Sequence, residues 1–94
     1  MKRKSANDAN EVYAVLCRRT DCGDTEVFLL DDRHFDTRRD ARRAMREDYR
    51  AMREQWGDCE GRSSSDEYAL KVPVWNAEEE KDDWIVCRWR VVET

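Results

Sequence analysis

The chain predicts an α+β domain of order β-β-α-β-β, a four-stranded antiparallel sheet with one amphipathic helix packed on one face. Three observations carry that prediction. Two pairs of β-branched and aromatic segments read with a period of two, and they flank one segment with a helical period. Short polar joins within each pair suit hairpins. The length of 94 residues supports a single hydrophobic core and no second domain.

The elements follow in order. Residues 1–10, "MKRKSANDAN", are polar and predict a disordered tail, with the domain spanning 11–94. "EVYAVLCRR" (Glu11 to Arg19) alternates apolar and polar residues and predicts the first strand. "TDCGD" (Thr20 to Asp24) is a turn, with Gly23 free to take a positive φ, and "TEVFLLDD" (Thr25 to Asp32) is the second strand. Thr37 then offers an N-cap hydroxyl with Asp40 three residues on, and Gly57 is placed to end the helix after Trp56. Between them Ala41, Met45, Tyr49, Met52 and Trp56 fall on one arc of a helix that turns about 100° per residue.

"GDCEGRSSSDE" (Gly57 to Glu67) reads as a polar, mobile loop. Tyr68–Trp75 and Trp84–Val92 are the last two strands, joined by "NAEEEKDD". If Trp75 faces Trp84, then Tyr68, Leu70, Val72, Val74, Ile85, Cys87, Trp89 and Val91 share an apolar face. Trp75, Trp84, Val86, Val92, Lys71, Arg88 and Arg90 take the other. Pro73 lacks an N–H, which places Tyr68–Trp75 at a sheet edge where a second copy could pair to form a homodimer.

Charged residues make up 43 % of the chain and the formal net charge is −4, which disfavours general polyanion binding by whole-molecule charge. No apolar run is long enough for a membrane span, and the basic N-terminus is not followed by the apolar stretch of a signal peptide. The expectation is a cytoplasmic protein without a membrane partner. The four cysteines lack C-x-x-C spacing, so free thiols are expected and no metal site. Cys17 and Cys87 belong to strand patterns and read as core residues, whereas Cys22 and Cys59 lie in loops and are the ones open to reaction.

Against that acidic background, Arg38 to Trp56 holds seven arginines. Projected on the helix, Arg39, Arg42, Arg43, Arg46, Arg50 and Arg53 occupy a sector of about 100° beside the apolar stripe. Arg43 and Arg50 have acids four residues on, at Glu47 and Glu54. Arg39, Arg42, Arg46 and Arg53 have no such neighbour and form a line. That line suits a solvated helix flank, an acidic protein partner that arginine would grip bidentately, or phosphates. The outer face of the last hairpin offers a second surface, where Trp75, Trp84, Arg88 and Arg90 combine aromatic and basic groups. The RNA-recognition-motif family is not implied, since neither its element order nor its signature sequences occur. A third cluster, Glu78, Glu79, Glu80, Asp82 and Asp83, could imitate phosphates or simply solvate a turn.

No nucleophile, glycine-rich phosphate loop or metalloprotease motif accompanies the single histidine, His34, so no catalytic residues and no cofactor are expected. The leading expectation is a non-enzymatic module that binds a protein partner. In size, charge and lack of catalytic groups the chain resembles the proteins that phages and mobile elements encode against host defence nucleoprotein complexes, anti-CRISPR proteins among them; the analogy carries no motif. The alternative is a nucleic-acid-binding domain using the arginine helix and the outer tryptophans.

Overall fold

A computed structural model describes residues 12–57 and 59–94. The tail at 1–10 lies outside the described residues, as does Glu11 at the start of the first predicted strand. The element order is β1 (Tyr13–Asp21), β2 (Asp24–Phe35), α1 (Arg38–Trp56), β3 (Glu60–Ser63), β4 (Glu67–Asn76) and β5 (Lys81–Glu93). All pairings are antiparallel and the sheet order is β2-β1-β5-β4-β3. The fold is thus α+β with one helix packed on an antiparallel sheet, as expected, but the sheet has five strands rather than four.

The extra strand lies inside the segment read as a loop. Glu60–Ser63 is polar and exposed along its length, so it carries no hydrophobic alternation. It is a strand because its backbone pairs with β4, Glu60 opposite Lys71 through Ser63 opposite Tyr68. A Cβ at Gly61 would overlap the Tyr49 hydroxyl, and only glycine leaves that space open. This corrects the edge assignment too. Residues 68–71 of β4 are covered by β3, and Pro73 sits just beyond, where a missing N–H costs no ladder bond. The free edge that was to serve a homodimer along 68–75 is therefore only partly free.

The register of the last hairpin also differs from expectation. Pro73, not Trp75, faces Trp84, and the strands continue to Asn76 opposite Lys81. The slip is two residues, an even number, so every side chain keeps its predicted face. Asn76 sets the turn. Its Oδ1 accepts the Glu79 N–H at 3.1 Å and its Nδ2 donates to Asp83 Oδ2 at 3.1 Å. Two of the five acids of "NAEEEKDD", Asp82 and Asp83, are thereby drawn into strand pairing, which their polarity had argued against.

β2 likewise outruns its predicted end at Asp32. Ala14 pairs with His34 but Leu16 pairs with Leu29, so a bulge of several residues stands opposite Val15. Asp31 and Asp32 take the left-handed conformation there (φ 56° and 50°), which aspartate tolerates better than most residues. The bulge lets Leu30 and Phe35 both reach the core and places His34 in a strand rather than a loop.

The helix forms as its sequence dictates. Thr37 Oγ1 accepts the Asp40 N–H at 3.1 Å, and Gly57, at φ 73°, donates its N–H to Arg53 O at 3.0 Å. Ala41, Met45 and Tyr49 are buried against Val15, Leu70, Val72, Ile85, Cys87, Trp89 and Val91, with Met52 and Trp56 at the margin. A hydrogen bond and a set of aromatic contacts orient the helix on the sheet. The Trp89 indole N–H donates to Asp48 Oδ2 at 2.7 Å, and the Tyr49 ring meets Tyr68 and Trp89 edge-on at 4.7 and 5.6 Å.

All four cysteines are free, with Cys17 and Cys87 buried. Burial pushes the Cys17 thiol up to about 12, with Asp48 adding to the effect, and burial likewise raises Cys87. Desolvation, with the Asp21 and Asp83 carboxylates beside it, raises the half-exposed Cys22. Alkylation of the native protein at pH 8, mapped by peptide mass spectrometry, should therefore label Cys59 first and Cys22 more slowly. Cys17 and Cys87 should react only after unfolding; native labelling of either at the Cys59 rate would contradict this packing.

Candidate interaction surfaces

The helix covers one face of the sheet, and among the described residues nothing covers the other. Because side chains alternate along each strand, the register fixes which residues share that bare face. One row runs Val27, Arg18, Arg88, Ala69, Arg62 from β2 to β3. On one side of it lie Leu29, Leu16, Arg90 and Glu67; on the other lie Thr25, Thr20, Val86, Lys71 and Glu60. Trp84 beside Pro73, and Trp75 beside Asp82, complete the face toward the last turn.

Trp75, Trp84, Arg88 and Arg90 thus share one surface with Lys71. Trp75 is 62 % exposed and Trp84 37 %, and two exposed indoles on one face form an apolar patch of the kind that marks interaction surfaces. The two tryptophans lie diagonally, not opposite one another, so neither is consumed by a direct cross-strand pair. The Lys71 ammonium sits 4.4 Å from the Trp84 ring centroid, a cation–π contact. Arg90 lies 3.8 Å from Glu67 and is partly neutralised. Arg18 and Arg62, which sequence reasoning did not single out, belong to the same face. Strand alternation could have placed Arg18, but Arg62 was hidden by reading β3 as a loop.

The helix arginines divide differently from the expected line. Arg42 Nε donates to Asp66 Oδ1 at 2.7 Å, and Arg38 Nη1 donates to Asp66 Oδ2 at 3.0 Å. These two guanidiniums hold the Asp66 carboxyl below the usual carboxylate range, with the Arg42 hydrogen bond the largest cause. Arg38 also lies over the Tyr13 ring at 5.0 Å. Arg42 is therefore a clamp for the β3–β4 connection, not an open contact. Arg53 reaches back to the Tyr49 hydroxyl at 3.4 Å. Arg39 and Arg46 stay exposed, as do Arg43 and Arg50, and none of the four has an ion pair among the described residues. The pairs Arg43–Glu47 and Arg50–Glu54 expected from spacing are not formed.

The acidic cluster is also split. Glu78, Glu79 and Glu80 occupy the β4–β5 turn, where Lys81 lies 3.1 Å from Glu79. Asp82 projects onto the bare face beside Trp75. Asp83 turns the other way, takes hydrogen bonds from Asn76 and from the Trp84 N–H at 2.8 Å, and is held below the usual range chiefly by the Asn76 bond. Three directions for five carboxylates do not make a continuous phosphate-like row.

No group of three or more His, Cys, Asp or Glu side chains that could hold a metal occurs among the described residues, and no described helix is long and apolar enough to cross a membrane. The chain matches no protein-family model, no curated protein and no solved structure.

Proposed function

We propose that this protein is a non-enzymatic interaction module that holds a protein partner on the sheet face opposite its helix. The observation that supports this reading most directly is the exposure of Trp75 and Trp84 beside Lys71, Arg88 and Arg90 on a face that no described element covers. Tryptophan and arginine dominate the energetics of protein interfaces, because each removes a large area from water while keeping a directional polar group. The partner is a larger assembly whose surface the module occupies, and the likeness in size and charge to phage-encoded inhibitors points to a host defence nucleoprotein complex as the class. Direct nucleic-acid binding by the helix is the weaker reading. Arg42 is committed to Asp66 and the exposed Arg53 reaches back to the Tyr49 hydroxyl, which leaves Arg39 and Arg46 as the members of the line without an ion pair or side-chain hydrogen bond among the described residues.

The test is capture of the partner from the native host's lysate by tagged protein, with and without nuclease. A nuclease-resistant partner is expected, and Trp75→Ala together with Arg88→Ser should weaken its capture at least tenfold, a loss of about 1.4 kcal/mol or more. Recovery that requires intact nucleic acid and vanishes with Arg39→Glu and Arg46→Glu would replace this reading with the nucleic-acid one.

A further inference from the structure

The row Arg18–Arg88–Ala69–Arg62 is unfavourable as it stands. Arg18 and Arg88 are directly opposed on neighbouring antiparallel strands, where like charges repel, and neither has a carboxylate within ion-pair distance among the described residues. Arg62 completes the row across the small Ala69, leaving a groove lined by Leu16, Arg18, Arg62, Ala69 and Arg88, with Arg90 at its side already facing Glu67 at 3.8 Å. A fold gains nothing from three uncompensated guanidiniums around one depression. A ligand with matching negative charge does.

We infer that this groove seats a short, extended, acidic segment of the protein partner, its carboxylates gripped by Arg18, Arg88 and Arg62; the inference rests on the proposed function and names the chemistry of the partner. Strands lie about 4.8 Å apart, so the row from β1 to β3 spans about 14 Å, the length of roughly four extended residues. Guanidinium forks match carboxylates in a bidentate geometry. The limits of the positive patch favour a peptide over a nucleic-acid strand. Glu67 and Glu60 stand in the rows on either side, and Asp82 and the acidic turn lie past the tryptophans, so a long polyanion tracking along the strands would meet its own charge. A short segment crossing the strands along the arginine row does not.

The experiment is fluorescence anisotropy on the full chain, using a labelled octapeptide of alternating glutamate and serine and, separately, an oligothymidine of similar charge. The peptide should bind more tightly than the oligothymidine, and Arg18→Ser, Arg62→Ser or Arg88→Thr should each weaken it roughly tenfold. Arg88→Thr should also raise Tm by about 2–4 °C, because it relieves the repulsion with Arg18. That gain separates a binding role from a structural one, and a fall in Tm would overturn the inference. So would failure of the peptide to bind, a tighter oligothymidine, or variants that bind like wild type. If the triple variant loses the peptide yet still captures the nuclease-resistant partner, the groove is not the partner's seat, although the proposed function stands. If the peptide binds the groove and no nuclease-resistant partner exists, the proposed function fails while the acid-binding groove remains.

Discussion

Trp89→Ala is expected to remove about 3–5 kcal/mol of unfolding free energy, a large share of the roughly 5–15 kcal/mol that a domain of this size possesses. Trp89 is 2 % exposed and joins the two halves of the core. Its backbone lies between Cys17 on β1 and Tyr68 on β4, its ring meets Tyr49 edge-on, and its N–H is bonded to Asp48. Truncation leaves a cavity under the helix and strands a half-buried carboxylate without its donor. Urea unfolding followed by circular dichroism checks the value. Trp89→Phe separates the two contributions, since it keeps most of the ring and loses the N–H, and should cost about 1–3 kcal/mol. If Asp48→Ala made Trp89→Phe no less harmful, the hydrogen bond would contribute nothing to docking.

The same residue shows what was legible in the sequence. Trp89 belongs to a set of alternating apolar residues, and alternation alone assigned it to the covered face, together with Leu70, Val72, Ile85, Cys87 and Val91. The helix stripe, its Thr37 cap and its Gly57 stop were equally plain, because each depends on neighbours within a few residues. The helix's partner for Asp48 was not, since it lies 41 positions away. Register failed for a related reason. The apolar pattern fixes the face but is indifferent to an even slip, and the residue that decides between slips is Asn76, whose two side-chain bonds were invisible beside a run of acids.

The candidate surface was half legible. Trp75, Trp84, Arg88 and Arg90 followed from alternation on one hairpin, whereas joining them to Arg18 and Arg62 required the strand order β2-β1-β5-β4-β3, which no local signal encodes. The arginine line on the helix was legible as a pattern but misassigned at Arg42. Its partner, Asp66, sits in a serine-rich connection whose composition suggested mobility. Arg38 was overlooked because its helical position falls on the apolar arc. There its stem lies over Tyr13 while its head reaches Asp66, a placement open to arginine but to few other charged residues.

Gly61→Ala should cost about 1–3 kcal/mol, although the residue is exposed, polar in its surroundings and at a sheet edge. The added methyl would occupy the position of the Tyr49 hydroxyl, and Tyr49 cannot swing aside because Tyr68 and Trp89 hold its ring from two directions. Either β3 lifts from β4 or the aromatic cluster shifts. Tyr49→Phe removes the obstructing oxygen, so in the double variant part of the cost should return, a coupling of about 0.5–3 kcal/mol. The rescue is partial, since the ring carbon that bears the hydroxyl remains 3.1 Å from the new methyl. Strict additivity of the two changes would show that β3 is not pinned beneath Tyr49. Binding follows the same geometry: β3 carries Arg62 into the arginine row, so lifting it should weaken the acidic octapeptide about as much as Arg62→Ser does, and Tyr49→Phe should return part of the affinity together with part of the stability.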